Sequence, residues 1–156
     1  MPTLKSKIKP ILFAGFLAGT LDILCAIFLL ANGNAAGVFR FIVRGALGNA
    51  AFEGGVEMII LGAVFHYIIA FCFTISYFIA FPYIPILQKQ KIVSGLLYGI
   101  FVWAFMQYLV LPLTFNPPDP VTFDTAWKNI LILMFAVGLP ISLIAHKHYS
   151  KYEPLE

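Results

Sequence analysis

The sequence predicts an all-α integral membrane protein, a four-helix bundle with a short interfacial helix in its first outer loop. Of its 156 residues, 61% are hydrophobic and 11% are charged, whereas soluble domains are about 45–50% apolar and about 25% charged. The apolar residues form four blocks, each long enough for a helix to cross a hydrocarbon core about 30 Å thick. With little chain left over, we predict a single transmembrane domain, 1–156, with spans at 11–30, 57–81, 92–113 and 128–146.

The first block follows Lys5, Lys7 and Lys9, an arrangement that also occurs in cleaved secretion signals. In that alternative, Ala31 and Gly33 are the small residues near the cleavage site. The apolar part of such a signal is usually about 7–15 residues long. Because this block is longer, we favour a retained first span.

The connection between the first two blocks is too apolar for an ordinary solvated loop. Residues 38–47 show helical periodicity with Arg40 and Arg44 on one face, which predicts a helix in the interface plane. The two arginines are candidate contacts for lipid headgroups. The simpler interpretation is a capping helix whose arginines extend to water, and a re-entrant segment is a further alternative.

The two later connections between spans are shorter, and residues typical of turns mark each of them. Gln88–Lys91 form a turn between the second and third spans, and Asn116–Pro120 form a stiff, extended connection rich in proline. Gly138 and Pro140 predict a kink in the fourth span.

Two pairs of glycines are spaced four residues apart, Gly15 with Gly19 in the first span and Gly95 with Gly99 in the third. Such pairs are typical of membrane helices that approach one another closely. They predict close helix contacts, and they are also compatible with duplication of a two-helix hairpin.

Asp22 and His66 are ionisable residues inside the first and second blocks. At about 1.5 Å of rise per residue, both lie near mid-depth, and antiparallel spans bring them together. Because an unpaired carboxylate is costly at that depth, we predict an Asp22–His66 contact. Gln107, on the third span, is a candidate third member of this polar site.

Two interpretations of the pair are open. A carboxylate that shares a proton with an imidazole is the arrangement used by proton relays. The same arrangement also serves as a structural hydrogen bond between helices, and we favour this second interpretation.

The sequence contains no catalytic or cofactor-binding signature. No nucleophile with a positioned base, phosphate loop or metal-ligand set is recognisable, so we predict a protein that is not an enzyme and binds neither metal nor cofactor. Cys25 and Cys72 lie at different depths, which argues against a disulfide between them. The net charge of +3 is spread along the chain, so nucleic acid is not an expected partner.

The distribution of lysine and arginine near the span ends predicts the orientation. With both termini in the cytoplasm, three basic residues lie outside and seven lie inside. The outer ones are Arg40, Arg44 and Lys128, and the inner ones are Lys5, Lys7, Lys9, Lys89, Lys91, Lys147 and Lys151.

Several stretches resemble small four-span bacterial inner-membrane proteins, similar in style to the YagU-like families. They are Ala14–Asp22 (AGFLAGTLD), Gly48–Gly55 (GNAAFEGG), Ile60–Phe71 (ILGAVFHYIIAF), Gly95–Thr114 and Val137–Lys147 (VGLPISLIAHK). The resemblance implies a four-helix fold in the bacterial cytoplasmic membrane, and it carries over no catalytic residue.

Together these features favour a non-enzymatic accessory, assembly or stress-related component of a membrane. The alternative is a small oligomeric proton-linked transporter in which Asp22 and His66 carry the proton. The expected partners are membrane lipid and either further copies of the chain or another membrane protein.

Overall fold

The computed structural model describes residues 4–115 and 122–152, which form helices and turns without a strand. Four helices are long and apolar enough to cross a membrane, which confirms the predicted all-α four-helix bundle. They are called spans 1 to 4 and comprise Lys5–Leu30, Val56–Tyr83, Lys91–Leu113 and Ala126–Tyr149. The extended connection predicted at Asn116–Pro120 falls in the part of the chain that is not described.

The α-helical segments, in chain order, are α1 (Leu4–Cys25), α2 (Ala35–Leu47), α3 (Ala50–Glu53), α4 (Val56–Ala80), α5 (Pro85–Lys89), α6 (Lys91–Phe105), α7 (Phe123–Ile132) and α8 (Leu139–Tyr149). Turns of π-helix follow α1 and α6 and join α7 to α8, at Ala26–Leu30, Met106–Val110 and Leu133–Gly138. Turns of 3₁₀-helix follow at Phe81–Tyr83 and Leu111–Leu113.

The helix of span 1 begins earlier than its apolar block, at Leu4 rather than at residue 11. Hydropathy marks the part of a helix that hydrocarbon covers, whereas the helix itself continues into the polar region through Lys5, Lys7 and Lys9. The prediction was therefore right about the span and late in its first residue.

Span 4 departs from regular α-helix where we predicted a kink. The kink was predicted from Gly138 and Pro140. The π-helical segment Leu133–Gly138 ends at Gly138, and Pro140 lies in the first turn of α8. Because proline has no backbone N–H, it interrupts the helical hydrogen-bond pattern. Wider turns of this kind are a recognised cause of helix bending.

Span 1 packs against spans 2 and 4, and two glycines of span 1 lie in its contact with span 2. A Cβ atom built on Gly15 would collide with the ring of Phe71, and one built on Gly19 would lie 3.1 Å from Cβ of Ala70. The absence of side chains at these two positions therefore lets α1 approach α4 closely, as the first glycine pair predicted.

Span 3 packs along span 4, and the second glycine pair forms this contact. A Cβ atom on Gly95 would lie 2.9 Å from Cα of Leu139, and one on Gly99 would lie 2.6 Å from the carbonyl oxygen of Leu133. From the opposite side, a Cβ atom on Gly138 would collide with the carbonyl oxygen of Gly95. The predicted close contact is confirmed, and Gly138 is its third member.

The helix predicted at residues 38–47 is present as α2, Ala35–Leu47. It begins after Asn34, whose side chain accepts a hydrogen bond from a backbone N–H of the first turn. It packs against the first half of α4, where Gly62 faces the carbonyl group of Phe39 at a distance that leaves no room for a side chain. The helix is thus fixed against span 2 along one side.

Candidate functional site

His66 lies on α4 where span 2 faces span 1, and its side chain is 9% exposed. Its Nε2 atom is 2.7 Å from the carbonyl oxygen of Gly19 on α1. Because a carbonyl oxygen only accepts hydrogen bonds, Nε2 carries a proton and donates it. Gly19 has no side chain to keep the two helices apart, so the imidazole reaches the backbone of α1 directly.

Asp22 follows Gly19 by three residues on α1 and is half-buried. Its carboxylate interacts electrostatically with His66, so the structure places both predicted residues in the same region between spans 1 and 2. The hydrogen bond of the imidazole, however, goes to Gly19, and Asp22 makes no hydrogen bond within the part of the chain that is described. The structure thus brings Asp22 and His66 near one another, and the hydrogen bond that it shows for the imidazole runs from Nε2 to the carbonyl oxygen of Gly19.

A second hydrogen bond crosses the same helix interface beside His66. The hydroxyl groups of Thr20 on α1 and Tyr67 on α4 are 2.8 Å apart. The ring of Tyr67 also stacks on Phe16, with ring centroids 5.5 Å apart. Sequence reasoning did not single out Thr20 and Tyr67, although each lies next to a residue or motif that it did single out.

Gln107, the third predicted member of the polar site, lies in the π-helical turn Met106–Val110 of span 3 and is half-buried. It makes no hydrogen bond to Asp22 or His66 within the described residues. Span 3 packs along span 4, whereas span 1, which carries Asp22, packs against spans 2 and 4. The structure therefore does not join Gln107 to the other two residues.

A fully buried group of hydroxyls joins spans 2, 3 and 4. It consists of Tyr77, Ser94 and Ser142, whose exposures are 0%, 1% and 0%, and we call it the hydroxyl cluster. The Tyr77 oxygen lies 2.8 Å from the Ser142 oxygen and 3.1 Å from that of Ser94, and the two serine oxygens are 3.0 Å apart. Ser142 also donates to the carbonyl oxygen of Lys91 at 2.6 Å.

The sequence analysis did not predict the hydroxyl cluster. Tyrosine is common in apolar helices, and the pattern of a single sequence does not show which tyrosines point toward a neighbouring serine. The cluster has its partners within the bundle, so it holds the helices together rather than offering a site to a ligand.

Arg40 and Arg44, the candidate lipid contacts, lie one turn apart on α2 and are both half-buried. One terminal nitrogen of Arg40 donates to the carbonyl oxygen of Gly54 at 2.9 Å. The Nε atoms of both arginines are buried and have no hydrogen-bond partner in the described parts of the chain. Glu57, at the same end of the bundle, interacts electrostatically with Arg40.

Between residues 4 and 115 and between 122 and 152, no three His, Cys, Asp or Glu side chains are grouped closely enough to hold a metal ion. Cys25 and Cys72 are both free thiols. His146 and His148, at the end of span 4, are buried among aromatic rings, with Phe81 and Tyr149 respectively as neighbours.

Comparisons with protein-family models, with curated proteins and with solved structures find no match to this chain.

Proposed function

We propose that this protein is a non-enzymatic accessory component of a bacterial cytoplasmic membrane, which assembles with another membrane protein through span 1. The observation that carries the proposal is that the Asp22 carboxylate has no hydrogen-bond partner among the described residues. This carboxylate lies within an apolar span and is half-buried.

A carboxylate in that position needs a partner group, because a charged side chain near the middle of a bilayer is costly unless it is paired or hydrated. The nearest candidate among the described residues is His66, and its Nε2 atom donates its hydrogen bond to Gly19 rather than to Asp22. A polar or basic side chain of a second membrane protein would supply the missing partner.

The packing of the bundle also favours assembly over a transport pathway inside one chain. Spans 3 and 4 approach to backbone contact at Gly95, Gly99 and Gly138, and side chains of span 2 pack directly on span 1 at Gly15 and Gly19. Three further polar groups of the interior, Tyr77, Ser94 and Ser142, are paired with one another in the hydroxyl cluster. These contacts close the interfaces between spans 1 and 2 and between spans 3 and 4, whereas transporters place a substrate site between their helices.

The orientation that we propose has both termini in the cytoplasm. The end of the bundle where α1 begins and α8 ends carries the larger group of lysines, and the opposite end carries Arg40, Arg44 and Lys128. This distribution agrees with the excess of basic residues on the cytoplasmic side of membrane proteins. On the outer side, the half-buried Arg40 and Arg44 are the side chains that we propose for contact with lipid phosphates.

The second candidate function is a proton-linked transporter formed by several copies of the chain. One observation favours it, namely the electrostatic interaction between Asp22 and His66 near mid-span. In this case a neighbouring copy or a file of water molecules supplies the partner of the carboxylate, and the proton passes between the two side chains.

Extraction with native lipid separates the two functions. The full chain, carrying an affinity tag, is isolated in polymer-bounded lipid discs from cells that produce wild type, Asp22→Asn or Gln107→Leu. Gln107→Leu is the matched control, because it also removes a polar group from a span. The accessory function predicts a co-purifying membrane protein that is lost with Asp22→Asn and retained with the control.

The transporter function predicts a different result. In proteoliposomes, the wild type would carry a pH-driven flux that Asp22→Asn and His66→Gln each abolish while the protein remains folded. Such a flux would contradict the accessory function. A partner retained with Asp22→Asn would also contradict it, because the carboxylate would then have no role in assembly.

A further inference from the structure

A cavity with a basic lining opens between the start of span 1 and the end of span 4. Its volume is about 250 Å³, and its polar lining consists of Lys9 on α1, Lys147 and His148 on α8, and Lys151 just beyond α8. No carboxylate belongs to the described lining. The three lysine side chains are exposed, so they are available to a ligand at the surface.

The same cavity has an apolar side. Phe13, one turn along α1 from Lys9, and Ile144, one turn before Lys147 and His148, line it toward the interior of the span. Phe13 is 62% exposed within an apolar span. The cavity therefore has a positively charged end at the helix termini and an apolar end within the membrane-spanning segment.

His148 gives a second, independent indication that the cavity takes a ligand. Its side chain is 6% exposed, and its Nε2 atom is buried without a hydrogen-bond partner among the described residues. A buried polar atom without a partner is unfavourable. His148 thus adds a buried polar side chain to the lining of the cavity.

We propose that this cavity is a binding site for one anionic phospholipid, with its phosphate among Lys9, Lys147 and Lys151 and its acyl chain along Phe13 and Ile144. The charge is complementary to a phosphate diester, and the order of polar and apolar lining matches the order of headgroup and chain in a lipid. Basic pockets between membrane helices bind anionic headgroups in this way. The site lies at the opposite end of the bundle from Arg40 and Arg44, and it is independent of the assembly through Asp22.

The test uses the full chain in phosphatidylcholine nanodiscs, with a tryptophan as reporter. Trp103 and Trp127 are replaced by phenylalanine, and Phe13→Trp places the reporter in the cavity. Quenching by brominated phosphatidylglycerol, added as a minor fraction, is compared with quenching by the same fraction of brominated phosphatidylcholine. The proposal predicts preferential quenching by phosphatidylglycerol.

Variants of the lysines test whether the preference for phosphatidylglycerol arises from this cavity. Lys9→Gln with Lys147→Gln should reduce it by roughly 10- to 30-fold, at about fivefold for each lysine near a membrane surface. Lys9→Arg with Lys147→Arg should retain it, which excludes a general loss of folding. Lys89→Gln with Lys91→Gln removes the same charge from the same end of the bundle, away from the cavity, and should change the preference far less.

Three outcomes would overturn the proposal. Equal quenching by the two lipids would show no selection of anionic lipid. An equal loss in the Lys89/Lys91 variant would show general attraction to the surface rather than a site. Loss of the preference on addition of inorganic phosphate at constant ionic strength would show a site for a soluble anion rather than for a lipid.

Discussion

The imidazole of His66 donates its Nε2 proton to the carbonyl oxygen of Gly19, 2.7 Å away on the neighbouring span. This hydrogen bond passes through a gap that only glycine leaves open, since a Cβ atom on Gly19 would lie 3.1 Å from Ala70 and Tyr67. The bond therefore links the polar site to the close packing of spans 1 and 2.

Replacing His66 by leucine should destabilise the contact between spans 1 and 2. The imidazole bond is one interhelical hydrogen bond, and such bonds contribute about 0.5–1.5 kcal/mol in membrane proteins. We expect a loss of that size in the free energy of unfolding, measured by steric trapping in bicelles. His66→Gln, which keeps an N–H donor at a similar distance from the backbone, should lose less, and an equal loss in the two variants would contradict the donor role.

Gly138→Ala should destabilise the bundle more than any loss of a single hydrogen bond. The added methyl group would collide with the backbone of Gly95 and Gly99, which cannot move aside as a side chain can. Overpacking costs about 1–3 kcal/mol and occasionally more, so we expect at least that loss on thermal unfolding in detergent. Gly45→Ala on α2 is the matched control, because its nearest neighbour is 3.6 Å away, and it should be neutral or stabilising. Similar stability of both variants would refute the close crossing.

The hydroxyl cluster should show coupling between spans 2 and 4. Tyr77→Phe and Ser142→Ala each remove one partner of a 2.8 Å hydrogen bond. In a double-mutant cycle we expect a coupling energy of about 0.5–1.5 kcal/mol, read from unfolding free energies. Tyr108→Phe, at a tyrosine that is 64% exposed, should show no coupling with Ser142→Ala. A zero value for the Tyr77 cycle would mean that the cluster does not hold these helices together.

The sequence predicted the spans well because hydropathy over about 20 residues depends on composition alone. It also predicted the contacts of Gly15, Gly19, Gly95 and Gly99, since a pair of small residues four apart marks one helix face. The predicted helix at 38–47 was found three residues longer at its start, where Asn34 caps it.

The polar site was predicted less well, and the reason is geometric. Depth along the bilayer placed Asp22 and His66 at the same level, but a hydrogen bond also depends on the rotation of each helix about its axis. Asp22 lies three residues beyond Gly19 on the same helix face, and the Nε2 atom of His66 donates to the carbonyl oxygen of Gly19. The partners of Tyr77 and Ser94 lie 65 and 48 residues away in sequence, and no local pattern reports such distant pairs.

Labelling of single cysteines should establish the orientation. Two single-cysteine variants, Asn49→Cys and Lys89→Cys, are made in a chain with Cys25→Ala and Cys72→Ala. Asn49 and Lys89 are both exposed and lie at opposite ends of the bundle. With termini in the cytoplasm, a membrane-impermeant maleimide should label Asn49→Cys in intact spheroplasts and Lys89→Cys only after permeabilisation. The reverse pattern would invert the topology and move the lipid site to the outer leaflet.

Spin labelling tests most directly whether the four spans lie in a lipid bilayer. A nitroxide is attached to a single cysteine in the otherwise cysteine-free chain, which is reconstituted in liposomes. The cysteine replaces one exposed apolar residue on each span in turn: Phe16, Ile68, Ile100 or Phe135. We predict that oxygen relaxes each label more strongly than a water-soluble nickel chelate, because oxygen concentrates in hydrocarbon. Stronger relaxation by the nickel chelate at these positions would place the spans in water and contradict the account.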